Sequence, residues 1–182
     1  MTTIRKADFY YGSLLSVFIH NGMAPAIVEP GENRRIYSVT TDAGEYEIYT
    51  KYASMPAKRK NKSTKLWTFS FSTEELERIK QYQDNGKKYA FAFICGQHNE
   101  MQSSEIAILT LDQAKDCLDL DFQRESHRIT VKAVKGRRGL GVYGTGRADQ
   151  LNGKDNTLRI KRVALPMIEE GVVAIAEQET LL

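Results

Sequence analysis

The chain has 182 residues, a formal net charge of +3, and 41% hydrophobic and 27% charged residues. That length fits one domain with a small appendage, and the balance of apolar and charged residues excludes wholesale disorder. Cys95 and Cys117 have neither metal-ligand nor disulfide spacing, and Met1 to Lys6 leads into an amphipathic pattern broken by Asp8, His20 and Asn21; the expectation is a reduced, cytoplasmic protein without a secretory leader or membrane span.

Ala7, Tyr10, Tyr11, Leu14, Leu15 and Phe18 recur at helical spacing and Asn21-Gly22 supplies a stop, which predicts an amphipathic helix over 5–21. Pro25 and Glu29-Pro30-Gly31 read as a connecting loop. Arg35 to Thr40 and Glu45 to Tyr52 flank the turn residues Asp42-Ala43-Gly44 and read as a hairpin. Leu66 to Phe71 alternates, with Trp67, Phe69 and Phe71 on one side, and is expected as the third strand of a meander. Its rings are read as core rather than as platforms for bases.

Ser72 and Glu75 form a capping box, opening a helix that runs to Gly86. Tyr89 to Cys95 and Ile106 to Leu109 lack alternation, as central strands covered on both faces do. Thr110 and Gln113 make a second capping box, with a helix through Leu118, and Arg128–Val134, Leu140–Tyr143 and Leu158–Lys161 read as further strands. The expected fold class is α+β: a mixed sheet with an αβββαβ core, three helices and a C-terminal β-hairpin extension, in a single domain over 1–166. Residues 167–182, apolar from Met167 to Ala176, are expected as a tail that docks, frays or joins a second copy in a homodimer.

The alternation in 45–52 places Glu45, Glu47, Tyr49 and Lys51 on one face, at about 6–7 Å per two-residue step. Beside this strand runs a basic segment with Lys58, Arg59, Lys60, Lys62 and Lys65. It is too polar to pack and long enough to follow a phosphate backbone, and the plainer reading is a solvated loop. Arg137, Arg138 and Arg147 flank Gly136, Gly139, Gly141, Gly144 and Gly146, whose amides are able to approach phosphates. The stretch lacks the Gly-Lys-Ser/Thr ending and following helix of a P-loop, so its simpler meaning is a hairpin with permissive turns. His20, His98 and His127 share no metal spacing, and neither a nucleophile elbow nor a zinc-ligand pair is present. Acyl hydrolases and classical NAD enzymes are disfavoured.

The element order over residues 5–95, with Glu47 and Lys51, resembles the core of the PD-(D/E)XK restriction-endonuclease-like superfamily. In that superfamily an acid stands at the start of the second strand, and a carboxylate stands two residues before a lysine on the next. The acids hold a divalent metal that activates water, and the lysine orients the nucleophile. The resemblance implies Asp42 and Glu47 as metal ligands, Glu45 as a neighbouring carboxylate, Lys51 as the catalytic lysine and Mg²⁺ as the cofactor of a nuclease. Tyr49 occupies the position two before Lys51, a departure from the pattern.

Three functions are therefore expected in competition. One is a non-catalytic nucleic-acid-binding protein on an endonuclease-like scaffold, contacting DNA or RNA through Lys58, Arg59, Lys60, Lys62, Lys65, Arg137, Arg138 and Arg147. Another is a Mg²⁺-dependent nuclease using Asp42, Glu45, Glu47 and Lys51. The last is a cytoplasmic interaction module whose basic surface meets an acidic partner. For the strand itself, a solvated face of Glu–Lys ion pairs is the non-functional alternative.

Overall fold

The computed structural model describes residues 3–82, 87–121 and 125–162. The tail at 167–182 lies outside the described residues; the helix opened by Ser72 ends at Lys80 with Gln81 as its C-cap, short of the expected stop at Gly86. In chain order the elements are α1 (Lys6–His20), β1 (Ala24–Glu29), β2 (Arg35–Thr41), β3 (Gly44–Ala53), β4 (Thr64–Phe71), α2 (Thr73–Lys80) and β5 (Lys88–Cys95). A 3-10 turn (Met101–Ser103), β6 (Glu105–Thr110), α3 (Leu111–Leu118), β7 (His127–Val134), β8 (Gly139–Gly144), β9 (Gln150–Leu151), β10 (Lys154–Asp155) and β11 (Leu158–Lys161) follow. The α+β class, the three helices and the mixed sheet agree with the sequence pattern. No helix among the described residues is long and apolar enough to cross a membrane.

Five strands form one sheet in the order β1-β2-β3-β5-β6. Only β3 and β5 run parallel; the other neighbours are antiparallel. This sheet is covered on both faces because its strands alternate between two cores. Tyr37, Val39, Tyr46, Ile48, Ala90, Ala92 and Ile94 pack with Tyr10, Tyr11, Leu14 and Phe18 of α1. On the other face Ile36, Tyr49, Phe91, Phe93 and Leu109 pack with α2, α3 and a second sheet. Along β5 the residues beneath α1 include the small Ala90 and Ala92, whereas the opposite face carries Phe91 and Phe93.

That second sheet is where the arrangement departs from expectation. β4 is not the third strand of the meander; it pairs with β7 in an antiparallel sheet ordered β11-β8-β7-β4. The meander is β1-β2-β3, and its first strand occupies the stretch expected to be loop. Pro25 is tolerated there because β1 is an edge strand, where a missing amide donor need not break a ladder. The aromatic face of β4 does point inward, as its alternation required, but it packs across the sheet rather than along an edge. Phe69 lies 4.7 Å from Phe93 and Phe71 lies 6.1 Å from Tyr49, centroid to centroid. The β7–β8 hairpin accordingly belongs to this sheet, and β6, though covered on both faces, is an edge strand rather than a central one.

Gly136 and Gly96 are among the glycines that their positions require. Gly136 has φ +81° in the β7–β8 connection, a conformation that a Cβ disfavours. At Gly96, after β5, a Cβ would lie 2.4 Å from the Tyr10 ring and 2.8 Å from the Ala53 carbonyl. The Gly96 carbonyl accepts a 2.8 Å hydrogen bond from Trp67 Nε1, so this residue joins α1, β3 and β4.

Candidate functional site

On β3 the expected face is real, but it is largely buried. Glu45 is exposed and its carboxylate accepts a hydrogen bond from Ser38 Oγ at 2.7 Å; Asp42 sits exposed in the β2–β3 turn. Glu47 is buried and pairs with Lys87 at 2.8 Å, and Tyr82 donates to it at 3.4 Å. Lys51 is buried too and donates to the Ser70 carbonyl (2.6 Å) and Glu75 Oε1 (2.7 Å), with its ammonium 4.7 Å from the Phe71 ring centroid. The reading of a solvated Glu–Lys face therefore describes only Glu45. Glu47 and Lys51 share a face and have different partners.

Glu75 is the residue that sequence reasoning did not place in the site. Its capping box was legible, and it forms: Ser72 N donates to Glu75 Oε2 at 2.8 Å while Glu75 N donates to Ser72 Oγ at 3.3 Å. The same geometry aims Oε1 at β3, where it accepts from Lys51 and from the Tyr49 hydroxyl. Burial pushes the Glu75 carboxyl up, but the hydrogen bonds from Lys51, Tyr49 and the Ser72 amide outweigh it and hold the group below its usual range. Burial draws the Lys51 ammonium below the usual lysine range against the opposing pull of Glu75, and pushes the Tyr49 phenol up.

The charges continue outward from this pair. Arg34 lies 3.8 Å from Glu75 and 2.9 Å from Glu29, which also pairs with Arg78. Arg78 Nε in turn donates to the Tyr82 hydroxyl at 3.2 Å, and burial raises that phenol to about 12. Beside the Lys51–Glu75 pair opens a cavity of about 730 Å³, bordered by Glu32, Arg34, Lys51, Ser70, Glu75 and Glu125.

Mg²⁺ calls for near-octahedral oxygen ligands, with carboxylates free to face the ion. Here Glu75 is taken up by three protein donors and Glu47 by Lys87 and Tyr82. Among the described residues no group of three His, Cys, Asp or Glu side chains is placed to hold a metal ion. Asp42 and Glu47, the expected ligands, stand five positions apart across a turn and a strand, with no shared partner among the described residues. The donor set does not fit the ion.

The basic residues form a second region. Pairing of β4 with β7 sets Thr64 opposite Val134, and Lys135 N donates to the Ser63 carbonyl at 2.8 Å. The loop at 58–63 and the turn at 135–138, far apart in sequence, thus meet at one end of the second sheet. Lys58, Arg59, Lys60, Lys62, Lys135 and Arg138 are exposed, and no ion pair engages them among the described residues. Lys65 is half-buried and donates to Gln97 Oε1 at 2.6 Å. Arg137 and Arg147 differ from that group: Arg137 is paired with Asp155 at 3.0 Å and Arg147 with Asp116 at 2.8 Å. The glycine-rich stretch is the hairpin, and two of its amides are engaged by backbone carbonyls, one within it and one on α3. Gly144 N donates to the Arg147 carbonyl and Gly146 N to the Cys117 carbonyl, each at 2.9 Å.

In comparisons with known proteins, no family model, curated protein or solved structure matches the chain.

Proposed function

We propose that the protein binds nucleic acid through the basic end of its second sheet and does not cleave it. The observation that carries this reading is the contact of the 58–63 loop with the 135–138 turn through Ser63 and Lys135, two segments whose exposed Lys58, Arg59, Lys60, Lys62, Lys135 and Arg138 have no carboxylate partners among the described residues. Cations left without internal partners are what a phosphate backbone neutralises, with release of its counterions.

The scaffold reading draws support from the large sheet. With β4 diverted, its elements run α1-β1-β2-β3-α2-β5, the order of the endonuclease-like core, and Lys51 lies on the third strand of the meander. Two departures support binding without hydrolysis. β2 opens on Arg35 where the superfamily pattern has an acid, and Tyr49 precedes Lys51 by two positions where it has a carboxylate.

The test is fluorescence anisotropy with random duplex and single-stranded oligonucleotides across a salt series. Affinity should fall linearly in log–log form, with a slope of about −0.9 per phosphate neutralised for duplex DNA. Absence of binding at low salt overturns the proposal. Incubation of the same oligonucleotides with Mg²⁺ or Mn²⁺ should leave them intact; cleavage that Lys51→Ala abolishes would overturn the non-catalytic part.

A further inference from the structure

A separate cavity of about 480 Å³ opens where the basic loop, the β4–β7 ladder and the 3-10 turn at Met101–Ser103 come together. Lys62, Lys65 and Lys135 border it, the first two from the basic segment leading into β4 and the third from the turn after β7. Two carboxylates also reach it, and both have partners. Glu105 accepts from Arg162, and Glu100 accepts from Gln97 Nε2 at 3.3 Å. Only Glu105 is neutralised within the fold, by Arg162; Glu100, bonded to a neutral amide, offsets one of the three ammonium charges, and Lys65, which donates to the neutral Gln97 oxygen, keeps its other protons available. The pocket therefore holds surplus positive charge, beside an apolar wall that includes Trp67, Ala133 and Val134.

Resting on the nucleic-acid reading above, we propose that this cavity receives the terminal phosphate of a nucleic-acid strand. The size supports an end rather than the middle of a duplex, because about 300–1,000 Å³ suits one small group or nucleotide and not a continuous double helix. Charge points the same way. A phosphomonoester carries about −1.5 to −2 at neutral pH and offers three acceptor oxygens, whereas an internal phosphodiester carries one negative charge. The surplus of positive charge left along the lining after Glu100 and Glu105 are counted favours the more highly charged monoester, and the exposed residues Lys58, Arg59 and Lys60 outside the cavity serve the continuous backbone.

The experiment measures binding of the full chain to short single-stranded oligonucleotides bearing a 5′-phosphate, a 3′-phosphate or neither. At least one phosphorylated form should bind about five- to ten-fold more tightly than the unphosphorylated strand. A Lys62→Ala/Lys135→Ala variant should lose that advantage, and a Lys58→Ala/Arg59→Ala/Lys60→Ala variant should bind all three strands more weakly while preserving it. All five substitutions fall on exposed side chains, so the fold is retained, as circular dichroism will verify. Equal affinity for all three strands, or an advantage untouched by Lys62→Ala/Lys135→Ala, overturns the terminal-phosphate site while leaving nucleic-acid binding in place. AMP competing as well as the phosphorylated strand would also overturn it, in favour of a free-nucleotide pocket. Failure of every strand to bind at low salt would instead remove the function on which the inference rests.

Discussion

Lys51 and Lys60 lie nine positions apart and show opposite uses of a positive charge. Lys51 is buried at the end of β3, where Glu75, the Ser70 carbonyl and the Phe71 ring surround its ammonium. Lys60 is exposed in the following loop, with no ion pair among the described residues. A charge matched inside the fold holds elements together, and removal of its partner leaves an ion stranded in a poorly solvated place. An unmatched surface charge does little for folding and remains available to a partner. The difference predicts that substitutions at one end of the loop act on stability and at the other on binding.

The largest expected effect is at the buried end. Glu75→Ala removes the acceptor of both Lys51 and Tyr49 and should destabilise the fold by about 3–5 kcal/mol, measured as a shift in the urea midpoint. The double variant Lys51→Met/Glu75→Leu should lose less than Glu75→Ala alone, since it leaves no unpaired ion behind. If Glu75→Ala unfolds at the wild-type midpoint, the pair is not structural and the comparison fails.

Next in size is the close packing of the chain after β5 against α1 and the end of β3. Gly96→Ala drives a Cβ into the Tyr10 ring and the Ala53 carbonyl and should cost about 1–3 kcal/mol in the same assay. No measurable change would show that α1 and β3 can separate there without penalty.

Acid sharpens the contrast further. The folded chain holds the Glu75 carboxyl below its usual range, so the unfolded chain takes up the proton first as pH falls. The stabilisation is fully present above the unfolded value of about 4.3 and is lost as pH drops through the folded value. Thermal melts below that pH should therefore show a steeper loss of stability for wild type than for Glu75→Gln, even though the variant starts from a lower Tm. Parallel curves would contradict the assignment of Glu75 as an ionised partner.

At the exposed end, Lys58→Ala/Arg59→Ala/Lys60→Ala should change stability by no more than about 0.5 kcal/mol per site. The same variant should flatten the salt slope on duplex DNA by about 0.9 for every phosphate it no longer neutralises. Arg137→Ala and Arg147→Ala should affect binding less than any exposed-loop residue, because Asp155 and Asp116 already engage those guanidiniums. A larger loss from Arg147→Ala than from Lys60→Ala would move the binding surface away from the loop.

Local physics made much of this molecule readable from its residues. The two capping boxes, the α1 stripe and the inward face of Trp67, Phe69 and Phe71 each follow from spacing within a few positions, and each forms as spacing dictates. Alternation also placed Glu47 and Lys51 on a common face of β3. It did not say what would cover that face, because α2 reaches it only through the tertiary fold. Glu75 looked like a helix cap and is also the counter-ion of a buried lysine. Likewise, the pattern of β4 specified its inward side but carried no information on its partner, since strand pairing depends on which edge is free. The basic segments at 58–65 and 135–138 were each evident alone. Their adjacency came from the β4–β7 register, which no local spacing encodes.

The pairing of β4 with β7 also orders events in time. Phe71 meets His127 and Thr64 meets Val134, so β4 leaves the synthesis machinery roughly sixty residues before its partner strand exists. Until then the aromatic side of β4 has a sheet to lie against but no neighbour for its backbone, and such unpaired strand edges favour association between chains. The loop that precedes β4 is rich in lysine and arginine, and like charges beside an unpaired edge repel a second copy during that interval. The same basic residues proposed to meet nucleic acid in the finished protein would thus guard the chain while it folds.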